Sequence, residues 1–244
     1  MYFTAEEKLM YGAMKAIYDS GIPIDFKGSM VLKACLIEAG FQETIRHTID
    51  IDANWYLDSP PTAEQMIESL QDALEKAELE LDVSLYRMYG EGRSAGFELT
   101  DRETGDILFT MDIDVNRPVV PTRIYEIAGI RFRGVSVDQM LADKISAVSG
   151  DKIFRRIKDI VDLYYLSQVF PFHSTDIQQI LKDNGRDLGT FQGFLHRQNE
   201  LRHAYDKFRL TGGVNKPPFD DVYAAVKSYI RDILPKEQHR DLER

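Results

Sequence analysis

The segment from Ser29 to Ala39 reads Ser-Met-Val-Leu-Lys-Ala-Cys-Leu-Ile-Glu-Ala and is followed by Gly40. It is apolar nearly all round, which predicts a helix buried on every side and closed by Gly40 at C′. A helix with no solvent face needs layers of other structure around it, and this narrows the fold more than any other stretch. Eight residues after Gly40, Thr48 to Ala53 alternates polar and apolar residues, as a strand with one buried face does. A buried helix leading into an alternating strand points to a sheet flanked by helices.

The rest of the chain supplies the other layers. Leu9, Met10, Ala13, Met14 and Ile17 recur at helical spacing, with Thr4 and Glu7 placed as a capping box and the helix closing near Gly21. Ser59-Pro60-Pro61-Thr62 breaks the strand and caps an acidic helix reaching about Leu79. Val83 to Met88, Gly96 to Leu99 and Ile107 to Val115 read as an antiparallel meander, with a turn over Asp101 to Asp106 joining the last two. Pro118 and Pro121 interrupt the chain, a short pair lies around Tyr125 and Ile130, and from Val137 onward the pattern is helical. The expected architecture is α/β (α+β): a mixed, largely antiparallel sheet flanked by helices in residues 1–134, then a helical domain in 135–244. A basic tail from Lys236 to Arg244 is expected to fray.

A chain of 244 residues with 43% hydrophobic content can bury a full core. Its single cysteine, Cys35, sits among apolar neighbours and reads as a core residue, so a reducing cytoplasm is the expected compartment. The first residues lack the pattern of an export signal, and no run approaches the roughly 18 apolar residues of a membrane span. Net charge is −10. The chain as a whole repels polyanions, so a nucleic-acid partner requires a local basic patch.

Asp50 and Asp52, two apart on a strand, project together while Ile49 and Ile51 are expected to pack behind them. Asp112 and Asp114 form a second such pair. If the two strands are neighbours, three or four carboxylates converge without histidine or cysteine, the donor set of a two-metal phosphoryl-transfer site. Each pair alone is more simply the solvated face of a one-sided sheet. Lys27-Gly28-Ser29 strengthens the functional reading, because a Gly-Ser pair opening a helix presents free N–H groups to phosphate. The five histidines have no metal-ligand spacing, and no hydrolase motif is present.

The order Lys27-Gly28-Ser29, Arg46-x-Thr48-x-Asp50-Ile51-Asp52, Ala142-Asp143-Lys144 and Lys158-Asp159-x-x-Asp162-Leu163-Tyr164 resembles the AbiEii/AbiGii toxin family, within the nucleotidyltransferase (polymerase beta-like) superfamily. The resemblance implies that Lys27, Gly28 and Ser29 hold a nucleoside triphosphate (NTP), with Arg46 and Thr48 in the same pocket. It implies Mg2+ on Asp50 and Asp52, and a third carboxylate at Asp114, with Asp112 as the alternative. Lys144 would meet the phosphates or base, and Asp159 would be a late functional acid. The residues alone permit blander roles. Lys144 reads as a solvated helix residue, and Asp159 and Asp162 pair at i,i+4 with Arg155 and Lys158 as a surface face does. Arg46 could bind phosphate or neutralise nearby acids. The implied activity is transfer of a nucleotide to RNA, such as a tRNA 3′ end, by a bacterial toxin with a cognate antitoxin protein. Transfer to a small molecule or protein side chain, or a catalytically silent binding role, are the alternatives.

Overall fold

Thr4 opens the first helix as expected. Its hydroxyl accepts from the Glu7 N–H while the Glu7 carboxylate accepts from the Thr4 N–H, both at 3.1 Å. The computed structural model describes residues 3–41, 45–56, 59, 61–90, 94–115 and 119–234. Pro60, Pro118 and the basic tail lie outside them. The chain forms two compact units, Met1–Glu43 with His47–Ser136, and Thr44–Arg46 with Val137–Arg244.

The first unit contains helices α1 (Ala5–Asp19), α2 (Gly28–Glu38) and α3 (Ala63–Lys76). Its strands are β1 (Ile24–Lys27), β2 (Asp50–Trp55), β3 (Leu81–Tyr89), β4 (Ser94–Asp101), β5 (Ile107–Asp114), β6 (Thr122–Ile127) and β7 (Ile130–Val135). They make one mixed sheet in the order β3-β4-β5-β2-β1-β7-β6. The expected meander is β3-β4-β5, with antiparallel pairs throughout. β2 and β5 are neighbours and run parallel. β1 is a strand that periodicity did not reveal: four residues after Pro23 are too few to show alternation.

The α2 helix is buried as its composition demands, with Met30, Val31, Leu32, Ala34, Cys35 and Leu36 each at most 1% exposed. Gly40 follows the Ala39 cap with φ +79°, the left-handed geometry that favours glycine at C′. One face of the sheet carries Phe26, Ile51, Ala53, Phe97, Met111, Ile113 and Phe132, all fully buried. α1 and α2 pack on that face: Tyr11 lies 5.9 Å from Phe132 between ring centroids, and a Cβ on Gly134 would touch Val31. Residues of opposite parity point to the other face, where the polar side chains of β1, β2 and β5 collect.

The second unit contains α4 (Val137–Ser149), α5 (Ile157–Ser167), α6 (Ser174–Asp183), α7 (Gln192–His196), α8 (Gln198–Lys207) and α9 (Phe219–Ile233). α5 packs against α4 and α9, and its Ile160, Val161, Leu163 and Leu166 are buried. Tyr165 is core, while Tyr164 beside it is half-buried. Among the described residues no helix is long and apolar enough to cross a membrane.

Candidate active site

Strand register decides which residues meet on the polar face. Lys27 of β1 pairs with Asp52 of β2, Asp52 with Asp112 of β5, Asp112 with Gly96 of β4, and Gly96 with Arg87 of β3. These five positions form one row across the sheet. Directly paired residues share a face, so two carboxylates stand side by side with a cation at each end of the row. A flanking row holds Asp25, Asn54 and Asp114, and on the other side Asp50 pairs with Thr110. The parallel β2–β5 pair is thus what joins the two acidic motifs.

Gly28 leaves β1 with φ +72°, and a Cβ there would overlap Oδ2 of Asp52 and lie 3.1 Å from its Cβ and Cγ. Only glycine lets the chain turn into α2 this close to the carboxylate. Lys27, in the cap position of α2, makes no capping bond with its side chain. It donates instead to Asp114 Oδ2 at 2.6 Å and to Asn54 Oδ1 at 2.7 Å. Ser29 is 7% exposed in the first turn. Thr48, also buried, donates its hydroxyl to the Asp50 carboxylate and so fixes that acid.

Asp112 is held through Oδ2 by Arg87, whereas its Oδ1 is buried without a hydrogen-bond partner among the described residues. Burial, then the negative charges of Asp114 and Asp112, push the Tyr89 hydroxyl well above its ordinary range, so the phenol stays neutral. Asp25 is bonded by Arg133, whose guanidinium lies over the Tyr56 ring at 4.2 Å. Burial nonetheless raises the Asp25 pKa above its ordinary value.

The other residues singled out from sequence belong to the second unit. Arg46 places Nε 3.1 Å from Asp162 Oδ1 and Nη2 3.0 Å from Oδ2, a two-pronged contact made with both side chains buried. Lys144 Nζ donates to Asp162 at 2.7 Å and lies 3.5 Å from Asp159, which also faces Arg156 at 3.8 Å. The surface reading of this group is therefore corrected. Asp162 is wholly buried, not solvated beside Lys158, and Lys144 is 12% exposed. Burial alone would raise the Asp162 pKa, but Lys144 and Arg46 overcome it and hold the carboxyl down at about 2. Three further arginines are also engaged by carboxylates: Arg123 by Glu38, Arg197 by Glu200 and Arg202 by Asp220.

Sequence reasoning missed Arg87, Asn54, Asp25 and Gly96 at this face. Spacing could have flagged none of them, because each is defined by pairing with a distant strand.

The family model of the nucleotidyl transferase AbiEii toxins of type IV toxin–antitoxin systems matches residues 17–225. No curated protein matches the chain. Among solved structures, MenT4, a nucleotidyltransferase toxin from Mycobacterium tuberculosis, is similar with a TM-score of 0.61 and 14% identity, over 97% of this chain and 86% of that one. An antigenic nucleotidyltransferase-like protein from Paracoccidioides brasiliensis gives a TM-score of 0.47 and 18% identity, over 83% of this chain and 93% of that one. The first likeness extends to the fold of nearly the whole chain: a mixed sheet flanked by helices with a helical C-terminal region.

Proposed function

This chain belongs to the AbiEii nucleotidyltransferase toxin family of type IV toxin–antitoxin systems, and we propose that it transfers a nucleotide from an NTP to the 3′ end of a tRNA on the polar face of its sheet. The observation that carries the reading is the seating of Gly28 against Asp52, which brings the start of α2 to the acidic row. The N–H groups of the first turn, with Lys27 and the Ser29 hydroxyl, receive the triphosphate.

Asp50, Asp52 and Asp112 fit a hard divalent cation. Their donors are all oxygen, and Asp112 Oδ1 is buried with no partner among the described residues. Those residues contain no ready cluster of three acidic, histidine or cysteine ligands. Mg2+ needs none, because it is ordinarily held by one or two carboxylates together with substrate phosphates. Bound there, Mg2+ would neutralise charge building on the phosphoryl oxygens and make the acceptor hydroxyl more acidic. Of the two candidates for third carboxylate, the register favours Asp112, which faces Asp52, over Asp114, which faces Asn54 and engages Lys27. Thr48 orients Asp50. Lys144 and Asp159 enter by the family pattern alone, as a phosphate contact and a late acid. Arg46 is committed to Asp162, and its role in this reading is to position that acid.

The acceptor hydroxyl attacks the α-phosphorus in line, pyrophosphate leaves, and the modified tRNA no longer serves translation. A cognate antitoxin protein would restrain the activity. Purified protein incubated with Mg2+, each radiolabelled NTP in turn and total tRNA tests this directly. Label should enter tRNA with wild type and fall at least about 10²-fold with Asp50→Ala. Transfer to protein or small molecules instead, or equal transfer by the variant, would overturn the assignment.

A further inference from the structure

We propose that Arg87, with Tyr86 and Tyr89, forms a clamp for the single-stranded end of the RNA acceptor, on the opposite side of the acidic row from the triphosphate cradle. The inference rests on the reading above and adds which side of the site takes which substrate.

β3 is an edge strand, and its pairing with β4 slips between Leu85 and Arg87. Leu85 pairs with Phe97 and Arg87 with Gly96, so Tyr86 is the extra residue of a β-bulge. Bulges re-aim side chains, and this one turns Tyr86 and Arg87 onto the polar face together. A Cβ on Gly96 would lie 2.6 Å from Tyr86 Cε1, 2.7 Å from Asp112 Oδ1 and 2.9 Å from Arg87 Cγ. The glycine is therefore the floor over which these three side chains meet. The Arg87 guanidinium sits 5.0 Å from the Tyr86 ring centroid and 5.3 Å from that of Tyr89. It is tethered to Asp112 yet half exposed, at 49%. Tyr86 is 41% and Met88 47% exposed.

An exposed cation between two tyrosines fits a nucleotide, with phosphate on the guanidinium and a base stacked on a ring. Position in the row selects which nucleotide. In-line displacement sends the leaving group away on the side opposite the attacking hydroxyl. Pyrophosphate leaves toward the start of α2 beside Lys27. The acceptor then comes from the β3 side of Asp52 and Asp112, and three strand spacings put β3 on the order of 14 Å from β2. A single-stranded RNA end can place its terminal hydroxyl at the carboxylates and its next nucleotides on this edge. The chain is acidic overall, so a local cation–aromatic platform serves RNA better than a diffuse field would.

The test measures binding of a fluorescently labelled RNA carrying a single-stranded 3′ end, without nucleotide, by anisotropy across a salt series. Arg87→Ala is expected to weaken binding about tenfold and to lower the salt slope by about 0.7, the value for one phosphate contact on a single strand. Tyr86→Ala with Tyr89→Ala should weaken binding at an unchanged slope, and Arg87→Lys should restore the slope but not the full affinity. In the transfer assay Arg87→Ala should raise the KM for RNA by a larger factor than the KM for NTP, which it reaches only through its bond to Asp112. Circular dichroism verifies that each variant is folded. RNA binding equal to wild type in Arg87→Ala, or an effect confined to the NTP, would overturn the clamp. Absence of transfer by wild type would count against the catalytic reading alone, since the binding measurement needs no turnover.

Discussion

Gly28 and Asp52 face each other so closely that a single methyl group on Gly28 would occupy the space of the Asp52 carboxylate. Gly28→Ala therefore combines two effects, a strained left-handed backbone and a displaced acid. Gly21 has the same φ of +72° with nothing within 4 Å of a built Cβ. The left-handed backbone alone should cost each alanine variant about 1 kcal/mol of stability, and the overlap with Asp52 adds to that cost in Gly28→Ala. In the transfer assay Gly28→Ala should fall by about 10²-fold, the effect of misplacing a reacting group by an ångström, while Gly21→Ala stays near wild type. Equal activity of the two would mean that the Gly28–Asp52 approach does not matter to the chemistry.

Asp112 and Asp114 can be separated by the same assay. Asp112 faces Asp52, and Asp114 faces Asn54 while holding Lys27. Asp112→Asn should reduce kcat at least about tenfold more than Asp114→Asn, a difference of roughly 1.4 kcal/mol in transition-state stabilisation. Asp114→Asn should act mainly on the KM for NTP through a loosened Lys27. The reverse order would return the third-carboxylate role to Asp114.

Glu7 shows how a cap serves the interior. It is wholly buried and accepts from Lys33 Nζ at 2.6 Å, from the Thr4 N–H, and contacts His47 Nδ1 at 3.0 Å. Lys33→Met removes the main counter-charge from a buried carboxylate and should destabilise the fold by about 3 kcal/mol. Adding Glu7→Gln removes the stranded charge, so the double variant should be more stable than Lys33→Met alone. Urea denaturation of the three proteins measures the coupling, and strict additivity would show that the pair does not interact.

How far the sequence could be read follows from the range of each interaction. Thr4 and Glu7 lie three residues apart, and α2 declares its burial in eleven consecutive residues, so local pattern sufficed for both. Asp50 and Asp52 share a face by strand period alone. What period does not supply is the partner of each strand. β1 was too short to see, and the row from Lys27 to Arg87 depends on four strand pairings. The Tyr86 bulge adds one residue to β3 without any turn residue to announce it. Arg46 and Asp162 are 116 positions apart. Spacing offered Asp162 a nearby Lys158 instead, and a surface ion pair was the natural inference from helical neighbours.

The buried Asp162 ties part of the acid stability of the second unit to one carboxyl. Its ordinary value of 3.8 is held down to about 2 in the folded chain, where Lys144 and Arg46 overcome the opposing effect of burial. A group whose pKa is depressed on folding binds a proton more readily unfolded, so its contribution is complete above about pH 4 and is lost as the pH falls through about 2. Between those limits the loss should be on the order of 2 kcal/mol. Hydrogen exchange of the α5 amides across that window reports it within the second unit. Asp162→Asn should remove this component of the pH dependence and, at pH 7, lower the protection of α5 by about 3–5 kcal/mol, because two buried cations are left without their carboxylate. An unchanged pH profile in the variant would show that the Arg46–Asp162–Lys144 cluster does not govern acid unfolding of this unit.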